Sequence, residues 1–261
     1  MLLGGWKRDR QRFTILAAES QAGQLVLAVA AFLIPALFLR TAAQAHHPEL
    51  IHRVSLGTSG ILIATYAAGL FFSFKTHKHL LSLPPEGEEG SPDHGPTWPV
   101  RKAVLVLLGA SSLMGLVAEG LVHAVEAVGK QWGMNEVFLG FVVVAIVGNA
   151  AEHSTAVVLA MKNQMETALN IAMQSSVQIA IFVTPLLVFL SYPLGHPLDL
   201  IFTPFEMLAV VLTIGIFAYL VINGETNWYE GVQLLALYAI IAVAMYFLPM
   251  TAAPAPALPA H

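Results

Sequence analysis

The chain is 261 residues long, 57% hydrophobic and only 11% charged, with a mean hydropathy of +0.72, whereas a soluble domain carries about 25% charged residues. So few charges cannot cover a water-soluble surface, which excludes that class and makes lipid the solvent of most side chains. The 12 Lys and Arg against 16 Asp and Glu leave a net charge of −4, which offers no excess of cations to a nucleic acid, and the absence of Cys excludes disulfide, thiolate-metal and cysteine-nucleophile chemistry.

In chain order, Met1-Leu2-Leu3-Gly4-Gly5-Trp6-Lys7-Arg8 is too short an apolar run for a secretory signal and reads as the end of something longer. Seven apolar runs near the ~20 residues that cross a bilayer follow, at 22–39, 54–74, 103–126, 137–161, 166–190, 205–222 and 231–248. Each predicts a helix, because backbone groups in lipid must be satisfied within the segment and the runs are too long and uniformly apolar for barrel strands. The expected fold is all-α, a polytopic membrane bundle of about seven transmembrane helices.

Basic residues set the orientation. Lys7, Arg8, Arg10 and Arg12 precede the first helix, and Lys75, Lys78, Arg101 and Lys102 lie between the second and third. Placing both groups in the cytoplasm also puts Lys162 there and leaves Arg40, Arg53 and Lys130 outside. The N-terminus is then cytoplasmic and the C-terminus external. The stretch from Pro84 to Asp93, rich in Pro, Gly and acid, predicts a solvated linker, with a cation-attracting or regulatory role as the alternative. The Pro/Ala-rich tail at 251–261 is expected to be disordered.

An ionisable group in the hydrocarbon core costs on the order of 3 kcal/mol by insertion scales and is a functional candidate by default. Glu152, within Gly148-Asn149-Ala150-Ala151-Glu152-His153, lies nine residues before Met161, or about 14 Å from that helix end. The next run reaches Ser175 nine residues after Glu166, at the same depth of about 14 Å. Asn149, Glu152 and His153 share one helical face, and Gln174, Ser175 and Gln178 share another. Their carboxylate, amide and hydroxyl oxygens suit a hard divalent ion such as Ca²⁺, and Gly148 allows a locally opened helix. Packing between helices is the alternative role for Gln174, Ser176 and Thr155. A membrane carboxylate that binds either Ca²⁺ or a proton can exchange one for the other.

Glu119, His123 and Glu126 form a further stripe toward the external end of the third helix, an entry path for cations or protons or else a Glu–His pair. His153 is either a proton relay beside Glu152 or a packed histidine. Glu206, Glu225 and Glu230 lie near helix ends and are expected at the interface.

The run Gly148 to His153, with Ala156, Lys162-Asn163, Ser175-Ser176-Val177-Gln178-Ile179-Ala180 and Phe182-Val183-Thr184-Pro185, resembles the second ion-binding repeat of calcium/proton exchangers, within the cation/calcium exchanger superfamily. Thr76-His77-Lys78-His79-Leu80 resembles the end of that family's sixth helix and Leu3 to Arg8 the end of its fourth. The family has 11 helices, two inverted five-helix repeats after an extra first helix, and an acidic linker between the repeats. The resemblance implies that residues 1–80 hold the last two helices of the first repeat, 81–102 the cytoplasmic linker and 103–250 the second repeat. It assigns Ca²⁺ and proton binding to Glu152, with Asn149, Ser175 and Gln178 as neighbouring ligands. The family usually has Gly where this chain has Gln174, and the first repeat's Gly-Asn-x-x-Glu, with its second carboxylate, is absent here.

The expected function is Ca²⁺/H⁺ antiport in a bilayer, by a half or truncated transporter, with Ca²⁺ and H⁺ as substrates and no cofactor. A homodimer, a separate first-repeat half or a longer gene in which Met1 is internal would supply the second carboxylate. The alternatives are a non-transporting membrane fragment or partner subunit, and an exchanger of Na⁺, K⁺ or Mn²⁺. An enzyme is not expected, since neither His-Glu-x-x-His nor Gly-x-Ser-x-Gly occurs. The expected location is a bacterial cytoplasmic membrane.

Overall fold

The computed structural model describes residues 1–44, 49–76 and 98–248; the stretch from His77 to Leu80, the acidic linker at 84–93 and the tail from 251 lie outside them. Among the described residues the chain is helical almost throughout. The helices are α1 (Leu2–Gly5), α2 (Ile15–Gln44), α3 (Glu49–Phe71), α4 (Val100–Trp132), α5 (Leu139–Gly148), α6 (Ala150–Met161), α7 (Met165–Ser191), α8 (Pro204–Val221) and α9 (Trp228–Tyr246). Six of these are long and apolar enough to cross a bilayer, and the pair α5 and α6 makes a seventh if the two form one span. Each of the seven apolar runs in the sequence coincides with one of them. The all-α membrane bundle is therefore present as expected.

Two differences from the sequence reading have local causes. Helix α2 begins at Ile15 rather than near 22. Its polar first turns are tolerated because Thr14 Oγ1 donates to Glu166 and Gln21 Nε2 to Asn170, both on α7. Elsewhere the helices run into π-helical stretches at Phe72–Thr76, Leu139–Val144 and Gln178–Val183, which no hydrophobic period reveals.

Contacts group the chain into two compact units, one drawn from Met1–Leu83 and Ala150–Ala239, the other from Pro84–Asn149 and Ile240–His261. In the first unit α2 is the central helix. Ala18, Ala22, Leu25, Ala28, Phe32 and Ala36 recur every three or four residues and are all buried, forming one stripe along it. Small residues on that stripe let α7 and α8 approach closely, which is how helices associate in lipid, where burial of apolar surface supplies no drive. Val177, Ile181 and Val188 of α7 and Met207 of α8 close one core; Met165, Leu169 and Met173 of α7 and Val221 of α8 close the other.

Both ends of this unit are tied by polar contacts. At one end Gln11–Arg12 (β1) pairs antiparallel with Glu225–Thr226 (β2), with Gln11 opposite Thr226 and Arg12 opposite Glu225. Gln11 Nε2 donates to Ala160 O at 2.9 Å and to Asn163 Oδ1 at 3.2 Å, and Arg8 donates to Gly4 O and Met161 O. Gly5 is required there, since a Cβ on it would lie 2.7 Å from the backbone nitrogen of Trp228. At the opposite end His52 Nδ1 lies 2.8 Å from an Asp199 carboxylate oxygen, Tyr192 donates to the same carboxylate, and Ser55 Oγ accepts from Leu200 N–H. Glu206 closes a capping box with Thr203 at the start of α8.

Glu225 carries the ionic part of the strand pairing, 2.7 Å from Arg10 and 3.1 Å from Arg12. The hydrogen bond from Arg10 holds its carboxyl below the ordinary carboxylate range against desolvation, and the charges of Arg10 and Arg12 act in the same direction. Because the folded value lies below the unfolded one, the contribution is complete above the ordinary range and is lost as pH falls through the folded value. The protection factors of the Gln11, Arg12 and Phe13 amides are therefore expected to fall on acidification below about pH 4, and to fall less in Glu225→Gln.

In the second unit α4 ends on Gly133, whose left-handed backbone (φ 63°) turns the chain and whose N–H bonds Gly129 O. The buried Asn135 then donates to the carbonyls of Met245, Tyr246 and Leu248 at the end of α9 and accepts from Phe138 N–H. Helix α4 is otherwise outward-facing along most of its length.

Candidate ion-binding site

Helices α6 and α7 form an antiparallel hairpin about a tight turn, Lys162-Asn163-Gln164, in which Asn163 takes a left-handed conformation (φ 66°). Asn tolerates that conformation better than most residues. Such a short turn fixes the register, so residues equally far from it on the two helices come face to face. Glu152 and Ser175 are one such pair: Ser175 Oγ donates to Glu152 Oε2 at 2.5 Å. The shortness of this contact is that of a hydroxyl bonded to a carboxylate. Glu152 is exposed and Ser175 half-buried, so the pair lies on a face of the first unit that its other helices leave uncovered.

Neighbouring hydroxyls do not join the pair. Ser154, Thr155 and Ser176 each donate to the carbonyl four residues back, of Ala150, Ala151 and Ala172. They therefore satisfy their own helices. Thr155 and Ser176 thus have a third role, beyond the two that sequence offered. Gln178, one turn beyond Ser175, is exposed and opens the π-helical stretch of α7, which widens the backbone just past the site. His153 is exposed on α6 next to Glu152.

Asn149 lies at the helix break. Its backbone leaves the α region (φ −102°, ψ 13°), ending α5 at Gly148, and its side-chain Nδ2 donates back to Ala145 O at 2.9 Å. The helix is thus opened locally at the position where Gly148 allows it. Glu119, His123 and Glu126 lie on α4 in the second unit, all three exposed. Among the described residues no three His, Asp or Glu side chains converge to hold a metal ion.

Sequence reasoning missed the two long-range ties that hold the hairpin's turn, Gln11 to Ala160 and Thr14 to Glu166. It also missed the Asn135 cap and the pairing of Arg10 and Arg12 with Glu225.

These helices define a class: a multi-pass membrane bundle with a helix break at Asn149 and a carboxylate, Glu152, bonded across its helical hairpin. The description "sodium/calcium exchanger protein" matches residues 102–247. The chain is 37% identical over 247 residues to the Ca²⁺/H⁺ antiporter ChaA of Bacillus subtilis (strain 168), covering 94% of this chain and 69% of that protein. It is 36% identical to a Ca²⁺/H⁺ antiporter of Synechocystis, covering 95% of this chain and 70% of the other, and 36% identical to the vacuolar calcium ion transporter of Schizosaccharomyces pombe, covering 94% and 59%. Its fold is similar to that of native YfkE, with a TM-score of 0.75 and 35% identity over 95% of this chain and 68% of that one. The chain belongs to the sodium/calcium exchanger protein family.

Proposed function

We propose that this chain exchanges Ca²⁺ for protons across a membrane and that Glu152 binds the two alternately. The observation that carries the reading is the Ser175–Glu152 hydrogen bond, which sets a hydroxyl oxygen against a carboxylate about 14 Å from the helix ends that flank the turn. Ser175 and Gln178 supply neutral oxygens suited to Ca²⁺, with Asn149 as a further ligand. His153 relays protons, and Glu119, His123 and Glu126 mark the external path. Relatives named as Ca²⁺/H⁺ antiporters support the choice of Ca²⁺ over Na⁺, K⁺ or Mn²⁺.

One carboxylate does not neutralise a divalent ion, so a second one, from another copy of the chain or from the family's first repeat, completes the site. The helix end that carries Arg8, Arg10, Arg12 and Lys162 faces the cytoplasm, with the external end at Asp199, in a bacterial cytoplasmic membrane. Neither a resident cofactor nor an enzymatic reaction belongs to this reading.

The test is Ca²⁺ uptake into proteoliposomes holding the chain and an imposed pH gradient, followed with ⁴⁵Ca²⁺ and a pH dye together. Calcium entry coupled to proton exit supports the reading. Uptake that follows a Na⁺ or K⁺ gradient and ignores pH overturns it in favour of another exchanger. Within the same assay Ser175→Ala is expected to raise the half-saturating Ca²⁺ concentration about tenfold, the lower end for losing a hydrogen bond to a charged group, with Ser175→Thr nearer to wild type.

A further inference from the structure

Away from Glu152, a cleft of about 230 Å³ opens beside the β1–β2 pairing, lined by Arg10, Asn223, Glu225, Thr226, Asn227 and Glu230. Two features of its wall are out of balance. Thr226 is only 2% exposed and its Oγ1 has no hydrogen-bond partner. Glu230 has one oxygen bonded to Asn227 Nδ2 at 3.0 Å, while Oε2 is buried and without a partner. A hydroxyl and a carboxylate oxygen, both buried and unsatisfied on residues lining one cleft, are rare in a folded protein, and the charged one is the costlier.

The chemistry of the remaining lining says what would satisfy them. Glu225 is occupied by Arg10 and Arg12, and Asn223 Oδ1 accepts only the exposed Glu225 N–H among the contacts seen. The lining carries two carboxylates and the Arg10 guanidinium, with Arg12 bonded to Glu225 from outside it. It is rich in oxygen and poor in free donors, which suits a hard cation. Two carboxylates are the charge that a divalent ion needs, and irregular ligation from a turn suits Ca²⁺ better than Mg²⁺, which demands near-octahedral geometry.

We propose that this cleft is a second divalent-cation site of the chain, taking Ca²⁺ on Glu225, Glu230 and Thr226, with Arg10 as the internal cation that the ion displaces from Glu225. The site uses none of the residues at Glu152 and does not depend on antiport. Its position links it to the hairpin, because Arg10 is followed directly by Gln11, bonded to Ala160 and Asn163 at the hairpin's turn.

The experiment is Tb³⁺ luminescence excited through tryptophan, Trp228 adjoining the cleft in sequence, on the full 261-residue chain in detergent. It is run in a Glu152→Gln background, so that the hairpin site contributes nothing and the failure of one reading is distinguishable from that of the other. The expected result is a signal displaced by Ca²⁺, and displaced less well by Mg²⁺. Glu225→Gln and Glu230→Gln should each weaken Tb³⁺ binding at least about tenfold, as loss of a charged ligand does. Arg10→Gln should tighten it about fivefold, since a partly exposed ion pair no longer competes. That gain keeps the test decisive if Glu230→Gln fails to fold. No Ca²⁺-displaceable luminescence in this background, or an affinity that Glu225→Gln and Arg10→Gln leave unchanged, overturns the proposal.

Discussion

Glu152→Gln is expected to abolish pH-driven Ca²⁺ exchange while leaving the protein folded. The amide is nearly isosteric with the carboxylate, and its oxygen still accepts from Ser175 Oγ, so the contact between α6 and α7 survives. What is lost is a negative charge and the ability to carry a proton. A unit charge at 4 Å in surroundings of effective dielectric near 20 is worth about 4 kcal/mol, or about a thousandfold in affinity. No neutral oxygen on Ser175 or Gln178 makes up that difference. Glu152→Asp keeps the charge but withdraws the carboxyl by one methylene, so partial exchange with weaker Ca²⁺ binding is expected. Counterflow of Ca²⁺ and protons in proteoliposomes reads both variants. Exchange at the wild-type rate in Glu152→Gln would remove this residue from the mechanism.

The pair on which that experiment rests was legible in the sequence, and the reason is geometric. A turn of three polar residues leaves an antiparallel hairpin little choice of register, and 1.5 Å per residue then sets Glu152 and Ser175 at one level. The helices were legible for a similar reason, since the length of an apolar run and the thickness of a bilayer decide their number. Where a helix begins is another matter. The polar turns at the start of α2 read as loop until Asn170 and Glu166, some 150 residues away, are seen to satisfy them. Likewise Thr155 and Ser176 look like any other membrane hydroxyl until their own helix carbonyls are found to hold them. Pairings over such distances in the chain leave no periodic trace, so the ties of Gln11, of Arg10 with Glu225 and of Asn135 were invisible.

Asn135 shows what such an invisible contact is worth. It is 6% exposed and works in both directions. Its Nδ2 donates to Met245 O at 2.7 Å, Tyr246 O at 3.1 Å and Leu248 O at 3.3 Å, while its Oδ1 accepts from Phe138 N–H at 2.7 Å. Two amide hydrogens are shared among three carbonyls at a helix end, where intrahelical partners run out. Asn135→Ala takes this donor from the Tyr246 and Leu248 carbonyls and the acceptor from Phe138 N–H, while Met245 O keeps the Leu248 N–H. The expected cost is about 3 kcal/mol, from one lost cap and a buried group left unsatisfied. Asn135→Asp is expected to be worse, although it is the smaller change in shape. The acid still accepts from Phe138 N–H but has no donor for α9, and it turns a negative oxygen toward three carbonyl oxygens. Thermal unfolding in detergent at one fixed scan rate, compared across Ala and Asp variants, decides the matter, since membrane proteins unfold irreversibly and only like scans compare. Equal midpoints for Asp and Ala would mean that the donor side of Asn135 contributes nothing to holding α9. A midpoint lower for Asp than for Ala is what the three carbonyls require.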